Sequence, residues 1–310
     1  MPEPSSDDVV PKDPPPARGD ARYHAFLATV TQLRPSLHRF CARMTGSVLD
    51  GEDVVQEALL DAYRKLDTYD DARPMAPWLF RIAHNRCIDH LRQGGSRKVV
   101  EGEAAVEAEI EPATEPVGPM PTKAVEHLVL SLPPKERACV LLKDVFDYSL
   151  KEIAELVEST VGGVKAALNR GRAKLAELPV ESPPPVPRTT QDAALLRLYV
   201  ERFNRRDWDG VRELISADAL LRVADRYLGP LQGAPYFTVY AGLPEPRHFS
   251  VAHIDGVAVV LIEHQGQHGW VADAPVRMHI ANGKIVAIDD YWCCPWILGA
   301  ASDVRIDQAS

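Results

Sequence analysis

Long apolar runs are missing from this 310-residue chain. The most apolar stretch, Val257 to Ile262, is far short of the roughly 20 residues that a membrane-spanning helix needs, so no membrane partner is expected. CxxC pairs and His/Cys clusters at zinc spacing are also lacking, which speaks against the common zinc modules, and neither a metal nor another cofactor is expected. The five cysteines are Cys41, Cys87, Cys139, Cys293 and Cys294, an odd number that fits a reducing cytoplasm. They read as small buried hydrophobes. The neighbours Cys293 and Cys294 leave a redox or metal-sensing pair as the alternative, although adjacent cysteines seldom form an unstrained disulfide. The first residues, MPEPSSDDVVPKDPPPARGD, have no apolar centre and do not read as a signal peptide.

Positive charge is in deficit overall, with 35 Lys and Arg against 44 Asp and Glu for a net charge of −9. That argues against a nucleic-acid partner until the charges are placed. From Val161 to Leu175 there are four cations, Lys165, Arg170, Arg172 and Lys174, and no acid, whereas Glu101, Glu103, Glu107, Glu109, Glu111 and Glu115 crowd one segment. Three stretches lack apolar periodicity: a tail at 1–20, an acidic linker at 94–121 and a proline-rich linker at 179–190. They predict three folded blocks. Blocks 21–93 and 122–178 carry only helical periodicity, and block 191–296 moves from helices to short β-branched runs, with 297–310 left as a tail.

In GEDVVQEALLDAYRKL, Val54, Val55, Ala58, Leu59, Ala62 and Leu66 share a helix side, and Asp53, Gln56, Glu57 and Leu60 stand opposite. A solvated face would explain the acids; a leucine among them hints at a protein contact. The next helix, PWLFRIAHNRCIDHLR, turns Leu79, Phe80, Ala83, Cys87 and Leu91 inward. It presents Trp78, Arg81, Asn85, Asp89 and Arg92, a ring, cations and an amide that suit single-stranded DNA but equally a wetted surface. In the second block, prolines start a helix running to about Val145, and Ser149 with Glu152 forms a capping box that opens a second. After a turn near Glu158 to Thr160, a third keeps Val161, Val164, Leu168, Gly171 and Leu175 inward and shows Asn169, Arg170 and Lys174, flanked by Lys165 and Arg172. That is the layout of a helix in a major groove.

The motifs DGEDVVQEALLDAYRKLDTYD and APWLFRIAHNRCIDHLR, in this order and spacing, resemble region 2 of extracytoplasmic-function sigma factors, and the second block resembles their region 4. The resemblance implies an all-α region 2 bundle and an all-α helix-turn-helix. Asp53, Gln56, Glu57 and Leu60 would dock on core RNA polymerase (the β′ clamp, with β as a further partner). Trp78, Arg81, Asn85, Asp89 and Arg92, with the loop from Tyr69 to Pro77, would capture the −10 element of promoter DNA. Thr160, Lys165, Asn169, Arg170, Arg172 and Lys174 would engage the −35 element. The family often has glycine where Glu158 stands and Ser-Arg where Ala166 and Ala167 stand. With so many small residues on the third helix, modest or shape-dependent −35 specificity is expected. The acidic linker would run through polymerase channels near the active site.

In the third block, DAALLRLYVERFNRRDWDGVRELI predicts two helices, the first with Leu195, Leu198, Tyr199 and Arg202 along one face. Strands are predicted at Leu220–Ala224, Val257–Glu263, Val276–Ile280 and Lys284–Asp290, with Asn282-Gly283 as a type I′ hairpin, giving helices against a curved antiparallel sheet. FNRRDWDGVRELISADA with HIANGKIVAIDDYW resembles the SnoaL-like polyketide-cyclase group, an α+β cone. Such folds often enclose a pocket, and Trp208, Tyr227, Asp289 and Trp292 are its candidate lining for an unknown small ligand. That group includes enzymes with an Asp/His pair, which draws attention to Asp225, His253, His264, His268, His279 and Asp289. Histidines in strands are more often ordinary surface or core residues, and no catalytic residue is assigned.

The leading expectation is a cytoplasmic, non-enzymatic promoter-specificity subunit regulated in cis by its own C-terminal domain through a short tether. Two alternatives remain: a ligand-sensing helix-turn-helix regulator acting without core polymerase, which needs no docking face on the first block, and an enzyme-like domain fused to a DNA-binding module.

Overall fold

The computed structural model describes residues 21–94, 129–177, 190–245 and 247–307. The 1–20 tail and the two linkers, apart from their end residues 94 and 190, lie outside the described residues. The chain forms two compact units, not three, because the first two blocks share one core. Among the described residues, no helix is long and apolar enough to cross a membrane.

The helical unit begins with α1 (Ala21–Thr45), α2 (Val48–Arg64) and α3 (Met75–Gly94). Ser47 caps α2 by accepting from Asp50 N at 3.1 Å. α1 and α2 cross so closely that a Cβ on Gly51 would sit 2.5 Å from Ala42 N, which is why glycine stands there. A buried Arg34 reaches Glu52, which is fully enclosed, so neither charge is left alone in the core. All four of Cys41, Cys87, Cys139 and Cys294 are buried and all five cysteines are free thiols, as small hydrophobes would be.

The second helical block contains α4 (Pro134–Val140), which continues as a π-helical turn over Leu141–Val145, then α5 (Leu150–Leu156) and α6 (Val161–Glu177). The capping box forms in full: Ser149 Oγ accepts from Glu152 N at 3.3 Å, and Glu152 Oε2 accepts from Ser149 N at 2.8 Å. Val164, Leu168, Gly171 and Leu175 are buried as predicted, but Val161 is exposed. It occupies the first helical position, before the helix has swung its buried side onto α4.

Two features join the helical blocks. Phe146 and Tyr148 pack edge-on against Phe80 at 5.5 Å each, and Phe146 also meets Phe40 at 6.1 Å. The buried Arg137 donates to Met44 O at the end of α1, and to Leu130 O and Leu132 O at 2.8 and 3.0 Å.

The C-terminal unit packs α7 (Thr190–Asn204), α8 (Trp208–Glu213) and α9 (Tyr236–Ala241) with a seven-stranded sheet of order β2-β1-β6-β5-β4-β3-β7. The strands are β1 (Ile215–Val223), β2 (Tyr227–Pro230), β3 (His248–Ile254), β4 (Val257–Gly266), β5 (Gly269–Ala281), β6 (Lys284–Asp290) and β7 (Val304–Ile306). The expected sheet was antiparallel; the β1·β6 pair is parallel, which makes it mixed. Asn282 and Gly283 both adopt positive φ, 52° and 71°, as a type I′ turn requires. The buried stripe of α7 is Leu196, Tyr199 and Phe203, while Leu198 is exposed, so the predicted face was rotated by about one residue. The supposed tail supplies α10 (Trp296–Ala300) and β7, which pairs with β3.

Because Gly51 faces backbone that cannot yield, Gly51→Ala should destabilise the helical unit by about 2 kcal/mol or more. Gly162 near the start of α6 has only ordinary contacts, and Gly162→Ala should be neutral or stabilising by up to about 1 kcal/mol. Urea unfolding of the two variants beside the parent checks the contrast.

Candidate nucleic-acid interface and C-terminal cavity

On α2, Glu57 and Leu60 are exposed, Asp53 and Gln56 are half-buried, and the Gln56 amide nitrogen is enclosed without a hydrogen-bond partner. These four residues therefore share the side away from the core residues Val54, Val55, Ala58 and Ala62. Arg86 on α3 ties the two helices by donating from Nε to Asp61 Oδ2 at 2.7 Å.

On α3, Arg81, Asn85, Asp89 and Arg92 are exposed, and Trp78 is half-buried, its ring 4.7 Å from that of Tyr69. Trp78, Arg81, Asn85 and Asp89 line one cleft of about 470 Å³ together with Asp61, Lys65, Ile82 and Arg86. Arg92 does not line it and sits 3.9 Å from Asp89. Sequence reasoning missed the cleft's remaining wall, Glu158, from the turn between α5 and α6. Its φ of 51° is left-handed, which gives the expected glycine at this position its physical reason. Nearby, burial lowers the pKa of His84, and its Asn85 hydrogen bond and the Glu158 charge act in the opposite direction.

Three of the four cations on α6 are engaged inside the unit. Glu136 on α4 binds Arg170 Nε and Lys174 Nζ, both at 2.9 Å, and Asp144 takes Arg172 Nε and Nη2 at 3.0 and 2.5 Å. Arg172 is 13% exposed and its carboxylate partner 1%, so Arg172, expected to flank the outward side, braces α6 against the π-helical turn. Arg170 and Lys174 each keep 48% exposure. Thr160 Oγ1 accepts from Gly163 N at 3.0 Å and caps α6. Lys165 and Asn169 are exposed.

In the C-terminal unit, a cavity of about 220 Å³ is lined by Phe203, Asn204, Arg206, Trp208, Tyr240, Arg247, His248 and Trp270. Of the four residues predicted to line a pocket, Trp208 does. Trp292 stands behind Arg247, whose guanidinium lies 5.6 Å from its ring centre. Tyr227 donates its hydroxyl to Pro230 O, and Asp289 belongs to a different cluster. His279 Nε2 lies 2.6 Å from Asp289 Oδ2, and Arg222 donates Nε and Nη2 to the two oxygens at 3.0 and 2.9 Å. Two other histidines also meet aspartates: His264 pairs with Asp273 at 2.6 Å and His253 with Asp307 at 3.2 Å. Adjacent Asp290 alternates to the opposite side of the strand, where Tyr236 and Tyr240 hydroxyls donate to it at 3.0 and 2.7 Å.

Comparisons with known proteins agree with the helical geometry. Residues 29–97 match the family model of Sigma-70 region 2, and residues 122–175 that of Sigma-70, region 4. The chain is 34% identical over 162 residues to the ECF RNA polymerase sigma factor SigW of Bacillus subtilis (strain 168), spanning 49% of this chain and 87% of SigW. Among solved structures, it is similar to the extracytoplasmic function sigma factor SigJ of Mycobacterium tuberculosis, with a TM-score of 0.34 and 16% identity, over 88% of this chain and 98% of that one. Over 34% of the chain it is similar to a ketosteroid isomerase-type protein of Kribbella flavida DSM 17836, with a TM-score of 0.27, 21% identity and 78% of that chain covered. The chain belongs to the extracytoplasmic-function RNA polymerase sigma factors. Members of this family bind core RNA polymerase and promoter DNA; they are not enzymes.

Glu158 holds a negative charge and a left-handed backbone at the wall of the α3 cleft. Glu158→Gly should relieve both, leaving the variant at least as stable as the parent within about 1 kcal/mol. Thermal unfolding of the two chains checks it.

Burial acts to raise the Asp289 pKa, but the His279 and Arg222 contacts outweigh it and hold the carboxyl down at about 2. A carboxyl depressed in the fold adds stability above its unfolded pKa and loses it as pH falls toward 2. Asp289→Asn should therefore cost about 2 kcal/mol at pH 7 and almost nothing near pH 2. Denaturation of the full chain across that range reads the difference.

Proposed function

We propose that Asp53, Gln56, Glu57 and Leu60 form the surface that docks on the β′ clamp helices of core RNA polymerase, and that the α3 cleft takes the −10 strand. The observation that carries this reading is the cleft itself: an indole ring, exposed cations and an amide converge on α3, while an acidic stripe with an exposed leucine runs along the neighbouring α2. Stacking by Trp78 and phosphate contacts from Arg81 and Arg92 fit an unpaired strand. Lys165 and Asn169, with the half-exposed Arg170 and Lys174, engage the −35 element, and this second helical block also meets the β subunit. Thr160 and Arg172 contribute by fixing the helix, not by reaching bases. Few long side chains on α6 face outward, which supports the expectation of shape-dependent −35 recognition.

The compact helical unit fits a resting form. Glu158 walls the cleft that the −10 strand needs, so docking on polymerase separates the two helical blocks before promoter capture. The C-terminal unit acts as a small-molecule binding and regulatory module in cis, not as an enzyme. Its cavity is lined by no carboxylate, and the His279–Asp289 pair is fixed by Arg222 outside that lining. The residues that join the units hold this module at high effective concentration. A cytoplasmic location follows from partnership with core polymerase.

In run-off transcription with purified core polymerase, the full chain should start at defined promoters. A chain ending after Glu181 should differ from it by several-fold in transcript yield or in core affinity. Equal yield and equal affinity for the two forms would refute regulation in cis, and absence of any promoter-dependent transcript would refute the sigma assignment of these surfaces.

A further inference from the structure

We infer that the C-terminal cavity is a binding site for a small aromatic acid, with Arg247 as the group that receives the acid's negative charge. This rests on the reading of the C-terminal unit as a binding module, but not on that module's control of transcription.

The walls are aromatic and already packed in place. Phe203 stacks on Phe249 at 3.8 Å and meets Trp208 edge-on at 5.1 Å and Tyr240 at 5.4 Å, so three rings of the lining hold one another. At the rim, His248 and the exposed Trp270 stack at 4.9 Å. Such walls favour a planar apolar body that stacks or meets them edge-on. A volume of about 220 Å³ limits that body to one or two rings, below the size of most drug-like ligands.

The polar groups set the charge of the ligand. Asn204 cannot serve, because its amide donates to Phe249 O and accepts from Phe249 N, both at 2.8 Å. The Tyr240 hydroxyl is spent on Asp290, so the cavity receives only its ring. What remains is two guanidinium cations, Arg206 and Arg247, and the imidazole ring of His248, with no Asp or Glu in the lining.

Arg247 is singled out by its lack of hydrogen bonds. Its side chain is 18% exposed, and Nε and Nη1 are shut from solvent with no hydrogen-bond acceptor. The nearest carboxylates stand at 3.6 Å (Glu245) and 3.9 Å (Asp273); Glu245 is largely solvated and Asp273 is already held by His264 at 2.6 Å. Enclosed donors without acceptors are costly to leave unmatched. Trp292 supports one face of the guanidinium. A carboxylate matches that planar fork, and a neutral amide of the same shape does not match its charge.

The test titrates the full chain by calorimetry with benzoate, 2-naphthoate and indole-3-acetate, each beside its uncharged primary amide. At least one acid should bind saturably, and at least tenfold more tightly than its amide. Arg247→Gln should weaken that acid at least tenfold while leaving the amide within about twofold. If Arg247→Gln fails to fold, Arg206→Gln and Trp270→Ala, at exposed positions, replace it: the first should weaken only the acid, the second both members of the pair. Equal binding of acid and amide overturns the charge assignment while leaving a binding module standing. Absence of saturable binding by every acid overturns the site, and neither result depends on transcription by the same protein.

Discussion

The helical half of the molecule depends on one buried cation. Arg137 sits near the start of α4, yet it donates to the last turn of α1 and to the turn ahead of its own helix, satisfying three carbonyls with one guanidinium. Burial lowers its pKa, but an arginine has ample margin and stays charged. The contact also places a positive charge at the C-terminal end of α1, where the helix dipole favours it. Without it, the end of α1 and the 129–132 turn would face each other as unpaired carbonyls. The polar part of the joint is reversible: were the blocks to part, water would replace each of these hydrogen bonds, and the net cost per bond is modest. Most of the cost of opening lies instead in exposing Phe40, Phe80, Phe146 and Tyr148. This is the kind of contact that binding to a large partner can offset.

Charge placement on α6 resolves the conflict between an acidic chain and a DNA-binding family. Glu136 and Asp144 are nearly enclosed, and each would be costly alone. Their cation partners come from α6, so the same residues that give that helix its basic sequence also bolt it to α4. Arg172 is fully used in this way. Arg170 and Lys174 share a single carboxylate between them and retain exposed surface, so the pair carries a net positive charge toward solvent. The basic surface that α6 leaves exposed is thus smaller than the sequence count of four.

Helix periodicity made the cores of α2 and α3 legible, because 3.6-residue spacing is a local property of the chain. The capping box at Ser149 and the Asn282-Gly283 turn were legible for the same reason. Partners distant in sequence were not. Glu136 lies 34 and 38 residues from the cations it binds, and nothing in the local pattern of α6 separates Arg172 from Arg170. Glu158 illustrates an intermediate case, since its departure from the expected glycine was visible but its place on the α3 cleft needed the tertiary fold. A signal was overlooked at Asp255-Gly256, whose positive φ values of 49° and 81° make a second hairpin of the same kind as Asn282-Gly283 and define β3. The short β7 has no periodicity to detect, and pairing with β3 alone makes it a strand.

Asp289 and Asp290 show how one strand serves two environments. Successive side chains point to opposite faces, so two chemically identical residues meet opposite surroundings. Asp289 meets Arg222 and His279 and is held strongly acidic. Asp290 is raised by burial, a shift that hydrogen bonds from Tyr240, Trp292 N and Tyr236 oppose. The first stabilises the folded state as pH rises above its unfolded pKa; the second favours the folded state most when protonated. Their arrangement also explains why the cavity is cationic. Asp290 lies behind Tyr240 and takes up its hydroxyl, and Asp289 takes up Arg222 and His279. Both carboxylates are thereby removed from the lining, and Arg247 is left as a half-buried charge without a hydrogen-bonded counterpart.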